Sequence, residues 1–97
     1  MKIHEGKQGK HILGHNNYKH GKSILDENPN KLLDKYAGRG ERVAQQKENF
    51  DTGDQIIGRW VDPKTNNAYP TTRGTIHYSK NGAHIVPARP RSMLPKK

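Results

Sequence analysis

The chain has no cysteine. That excludes a disulfide framework and any thiolate metal site, and it leaves the redox compartment unread. Apolar residues are scarce at 29%, and no run of them approaches the roughly 20 needed to span a bilayer. A chain of 97 residues with this composition buries one modest core, so it reads as a single domain over 1–97, with residues 1–6 and 89–97 as flexible ends. The start, MKIHEGKQGK, lacks the apolar stretch of a secretory leader. Export would then be arranged by something outside this chain, which reads as a piece of a larger protein. Aromatic residues number six, few for a single-strand stacking platform once the core takes its share; Tyr18 and Tyr69 are the candidates to remain free. No aromatic RNA-recognition signature and no recognition helix is visible.

The charge that is present is unevenly placed. The net +9 divides into +4 over residues 1–22, −1 over 23–72 and +6 over 73–97, where no acidic residue occurs. All six histidines (His4, His11, His15, His20, His77 and His84) fall in the two terminal segments. A fold that joins those segments makes one basic, histidine-rich surface. Such a surface suits a polyanion, and RNA or DNA fits it better than an anionic membrane because no amphipathic helix accompanies it.

Local patterns point to an α+β chain, a short N-terminal helix or loop region packed on a small antiparallel sheet. Glycines at Gly9, Gly14 and Gly21 interrupt the first segment, so a short strand near His11–Leu13 followed by loop is expected. DENPNKLLDKYAG reads as a helix in which Asn28 caps, Pro29 suits the first turn, Leu32, Leu33 and Tyr36 form a stripe, and Gly38 ends it. Glu41–Asn49 fits either a second helix or an extended link. From Gln55 onward IIGRWVD, AYPTTRGTIHYS and AHIVP, separated by PKTNN and KNG, have the pattern of an antiparallel meander of about three or four strands. PARPRSMLPKK reads as an extended, basic tail.

The last hairpin decides where the chemistry can lie. With Asn81-Gly82 at the centre of a two-residue turn, Lys80 faces Ala83, Ser79 faces His84, Tyr78 faces Ile85 and His77 faces Val86. Side chains alternate across a strand, so Thr75, His77, Ser79 and His84 share one face, while Ile76, Tyr78 and Ile85 share the core face. The diagonal from His77 to His84 is then on the order of 7 Å, near enough for both to touch one phosphate.

Imidazoles on a basic surface suit metal-independent RNA cleavage. That reaction needs a base for the ribose 2′-hydroxyl proton, an acid for the leaving 5′-oxygen, and donors for the charged phosphorane. Histidine serves as either near neutral pH. The candidates are His11 and His77 as the leading acid and base pair, His84 as third member, Lys10 and Lys7 for the phosphate, and Thr75 or Ser79 as hydrogen-bond donors. HNNYKH superficially matches His-Asn-His nucleases through His15 and His20, but glycines flank it and no helical stripe follows, so no metal or other cofactor is expected. Glu48 reads as a solvated helix-face residue that could alternatively orient a base. A basic nucleic-acid-binding module of a phage or secreted protein, without catalysis, is the alternative from another class.

KQGKHILG, KSILDENPNKLLDKYAGRG, IIGRWVD and TIHYSKNGAHIVP occur in that order from Lys7 to Pro87, and with them the chain resembles the bacterial polymorphic toxin type 50 family, also called bacterial toxin 50. The resemblance implies a ribonuclease toxin domain with a barnase, EndoU, colicin and RelE-like fold, carried on secreted effectors or phage-type head proteins. By position it points to Lys7, Gln8, Lys10 and His11 in the first block, to His77, Tyr78, Ser79 and His84 in the last, and to Thr71 or Thr72 before it. Lys7, Gln8, Thr72, Arg73, Tyr78 and Lys80 are the candidates for holding substrate, although the alternation turns Tyr78 toward the core. The implied partners are an RNA substrate and a cognate acidic immunity protein, with the domain a monomer acting in the target-cell cytoplasm.

Overall fold

Short alternating runs broken by turns make short elements, and the computed structural model describes them over residues 2–95. Met1 and the last two lysines of the expected flexible ends lie outside the described residues. In chain order the elements are α1 (Glu5–Gly9), β1 (Ile24–Leu25), α2 (Pro29–Tyr36), β2 (Glu41–Ala44), β3 (Lys47–Asp51), β4 (Gly58–Val61), β5 (Ala68–Thr71), β6 (Arg73–Ser79) and β7 (Gly82–Pro87), followed by a 3-10 turn at Arg91–Met93. The architecture is α+β, with antiparallel sheets in the orders β1-β4-β5 and β2-β3-β6-β7. Among the described residues, no helix is long and apolar enough to cross a membrane.

Helix α2 forms as its sequence dictates. The Asn28 side chain accepts from the backbone N–H groups of Asn30 and Lys31, Pro29 opens the helix, and Leu32 and Leu33 are buried. Tyr36 stacks on Phe50 of β3 with ring centroids 4.9 Å apart. The helix thereby covers the core face of the four-stranded sheet, where Ile76, Ala83 and Ile85 meet Ile3, Leu25 and Ile57.

Three expectations need correction. His11–Leu13 is not a strand: α1 ends just before it, and the chain then passes through turns to β1. The strands after Gln55 do not form one meander, because β4 and β5 pair with β1 while β6 pairs with β3. The segment from Glu41 to Asn49 is a β-hairpin, β2 with β3, and Glu48 is a buried strand residue, 2% exposed, rather than a solvated one. Its carboxylate accepts from the N–H groups of Gly38 and Gly40 at 2.9 and 2.7 Å and from the Tyr78 hydroxyl. Those donors explain how a charged side chain stays in the interior.

The β6–β7 register also differs. Ser79 pairs with Gly82, Tyr78 with Ala83 and His77 with His84, so Lys80-Asn81 form the turn. Gly82 is required by a neighbour instead: its φ is +130°, and a Cβ there would lie 2.7 Å from the Lys2 carbonyl oxygen. Each partner moves by two residues, which leaves every side chain on its expected face. His77 and His84 become direct neighbours rather than diagonal ones.

The outer edge of β7 is closed by the N-terminal segment. Within the stretch read as a free end, Ile3 is buried and bridges to Ala83. The Gln8 side chain then imitates a strand, donating to the Ile85 carbonyl at 2.8 Å and accepting from the Ile85 N–H at 2.7 Å. Replacing Gln8 by Ala would leave both buried Ile85 groups unpaired, so urea denaturation should show a loss of about 2–4 kcal/mol. A loss within experimental error would mean that the clamp is dispensable.

Candidate functional site

Alternation along β6 and β7 puts Thr75, His77, Ser79 and His84 on the face opposite the core, and α1 brings His11 over the edge of β7. The His77 and His84 rings stack with centroids 4.8 Å apart and planes at 15°. His11 stacks on His84 at 6.2 Å, also at 15°. His84 is the ring common to both contacts. Behind it, His11 is nearly buried at 9% exposure, and its Nδ1 lies 2.8 Å from the Ser23 carbonyl oxygen. A carbonyl only accepts, so Nδ1 carries the proton and Nε2 is left free.

Electrostatics hold this cluster neutral. Burial, followed by His77, His11, Lys7 and His4, pushes His84 down to about 4. Burial lowers His77 as well, helped by Lys47 and His11. His11 is lowered by burial, with Lys22 and Lys10 adding to it, while the Ser23 carbonyl works in the opposite direction. Near neutral pH, three adjacent imidazoles among lysines do not all take protons unless an anion arrives to compensate.

The other candidates divide between chemistry and scaffold. Lys7 and Lys10 flank the cluster closely enough to act on its charges. The Thr75 hydroxyl donates to Asn49 Oδ1 at 2.7 Å and that of Ser79 to the Gly82 carbonyl at 2.7 Å, and Lys80 is exposed in the turn. Gln8 is fully buried with both amide atoms on Ile85. Tyr78 points to the core side, where burial, then the hydrogen bond to and charge of Glu48, push its hydroxyl up to about 12. Arg73 opens β6, four residues or about 13 Å from His77, and Thr72 lies in the bend just before it. Thr72 there bonds Asp51, and Arg73 lines a cleft of about 470 Å³ with Lys35, Tyr36, Arg39 and Phe50.

Among the described residues, neither His15 nor His20 joins the ring stack. His15 Nδ1 accepts from the Asn17 N–H, and among the described residues no three His, Asp or Glu side chains are placed to hold a metal ion. Two residues escaped the sequence reading. Lys47 lies directly across from His77, and it was hidden because the strand carrying it was not recognised. Ser23, which orients His11 through a backbone oxygen, leaves no trace in residue type.

A family model described as Bacterial toxin 50 matches residues 3–87. The chain belongs to the bacterial toxin 50 family. No curated protein matches it. The matched span of this bacterial toxin 50 domain runs from Ile3 on the β7 edge to Pro87 at the end of β7, and so takes in all three clustered histidines.

The lowered histidines make stability of the toxin domain depend on pH. In the unfolded chain they take up protons near 6.5, whereas the folded His84 resists until about 4. Their contribution is therefore complete above pH 6.5 and is lost as the pH falls toward 4. The melting temperature should fall between about pH 7 and pH 5, and it should fall less in His84→Gln. Equal slopes in the two proteins would remove the cluster as the cause.

Proposed function

We propose that this toxin domain is a metal-independent endoribonuclease whose acid and base are His11 and His77. The observation that supports it is the stack itself, with His77 and His84 on a partly exposed face near lysines and the nearly buried His11 stacked behind His84. Cleavage proceeds by attack of the ribose 2′-oxygen on phosphorus, with the 2′-proton taken by one group and the 5′-oxygen leaving with a proton from another. Attacking and leaving oxygens are in line, so acid and base belong on opposite sides of the phosphate. His11 and His77 flank His84 in that way. Burial lowers both rings, but the Ser23 carbonyl offsets part of that lowering for His11, which suits the acid, while Lys47 adds to it for His77, which suits the base. His84, held neutral, donates to a non-bridging oxygen, and Lys7 and Lys10 offset the phosphate charge.

The same basic face accounts for the rest of the biology in this reading. An acidic immunity protein that covers the histidines would be drawn in by electrostatic steering and would silence the domain in its producer. The domain is delivered as part of a larger protein and acts as a monomer in the cytoplasm of the target bacterium.

The test is incubation of total bacterial RNA with the purified domain, with and without EDTA, followed by end mapping. Discrete fragments that survive chelation and end in 2′,3′-cyclic phosphates are expected, and His77→Ala should slow cleavage by about 10²–10⁴-fold. Because acid and base are both lowered from 6.5, kcat/KM should peak on the acid side of that value. Cleavage abolished by EDTA would overturn the metal-free mechanism. Intact RNA in a salt-sensitive complex would leave a binding module in its place.

A further inference from the structure

Trp60 is the single tryptophan of the chain, and the fold does not use it as core. It is partly exposed on β4 and stands outside the buried hydrophobic cluster. A tryptophan can bury roughly 150–250 Å², and a domain so short of apolar residues leaves that gain unrealised. The β4–β5 ladder places Tyr69 directly opposite Trp60, with the ring centroids 6.2 Å apart and planes at 30°. The Arg89 guanidinium lies 5.2 Å from the Trp60 ring centre. Among the described residues Arg89 has no salt-bridge partner, so its donors remain available to an anion. Its backbone is held by Arg73, which donates to the Arg89 carbonyl at 2.8 Å.

This group is connected to the histidine cluster through one residue. The Val61 N–H, next to Trp60, donates to the Ser23 hydroxyl at 3.0 Å, and the Ser23 carbonyl accepts from His11 at 2.8 Å. Ser23 precedes the Ile24–Arg59 pair, so it runs beside Trp60 on the neighbouring strand. One strand spacing and one hydrogen-bonded side chain separate the Trp60 backbone from His11, a distance on the order of 10 Å, and Tyr69 lies one strand further out. A nucleotide chain held by its phosphate at the histidines reaches that far within its flanking residues.

We propose that Trp60, Tyr69 and Arg89 form a stacking subsite for an unpaired base flanking the scissile phosphate, which makes the substrate single-stranded RNA. This rests on the ribonuclease reading for the position of the phosphate. Aromatic faces bind bases without regard to sequence, but only when the bases are out of a duplex. Arg89 contributes both a planar stacking surface and a charge for the neighbouring phosphate.

The lone tryptophan reports on its own occupancy. A 2′-O-methyl RNA decamer, which lacks the attacking hydroxyl and stays intact, should quench Trp60 fluorescence in the wild-type domain, and the same decamer in a perfect duplex should not. Fluorescence-anisotropy titration of the labelled decamer should show about tenfold weaker binding to Trp60→Leu and to Tyr69→Leu, with melting temperatures checked for each. On cleavable RNA the loss should appear in KM more than in kcat. Unchanged binding in both folded variants, or equal quenching by the duplex, would overturn the proposal. Quenching by the single strand with no cleavage of natural RNA would uphold the subsite and overturn the catalytic reading instead.

Discussion

The histidine face depends on the two hydrogen bonds between the Gln8 side chain and the Ile85 backbone. Strand β7 is the last strand of its sheet, and an unprotected edge would present unpaired N–H and C=O groups to any passing chain. Lys2, Ile3 and His4 pair with Ala83, and Gln8 completes the cover with an amide that reproduces a peptide unit. The same contact orients α1, so the chain leaving the helix meets Ser23 on one side and His84 on the other. A structural seal and the assembly of the imidazoles are thus one event.

The resulting cluster is electrostatically frustrated. Lysines at Lys7, Lys10, Lys22 and Lys47 surround groups that would themselves become cations, and burial adds to the penalty. Such an arrangement resists protonation and costs the empty domain stability as the pH falls. An anion reverses both effects, because each proton taken up then gains a counter-charge. The core on the opposite face supplies what this face does not, through Ile76, Ile85 and the Tyr36–Phe50 stack.

Much of this was legible in residue order, and the limits are physical. Helix α2 was readable because cap, first-turn proline, stripe and terminal glycine all agree. The two faces of the last hairpin were readable because alternation survives a shift of two residues, even though the turn lies one residue before Asn81-Gly82. What misled the register was Gly82, whose role is to admit the Lys2 carbonyl, a contact with the distant N-terminus. The β2–β3 hairpin was not legible, since β2 is wholly exposed and the buried carboxylate of Glu48 is stabilised by loop N–H groups that no pattern announces. His11, His77 and His84 could be singled out by type and face, but not the stacking order or the carbonyl that fixes the His11 tautomer.

The Gln8–Ile85 contact joins residues 77 apart in sequence. Closing so long a loop costs chain entropy before any reward is received, and non-local pairings of this kind come late and slowly. Local pieces such as α2 and the β6–β7 hairpin can form while the N-terminal segment is still undocked. A hairpin formed in that interval would already pair His77 with His84, whereas His11 would still lie on an undocked stretch of chain. The timing of folding therefore separates a partial imidazole pair from the complete trio, and a chain kept extended holds neither.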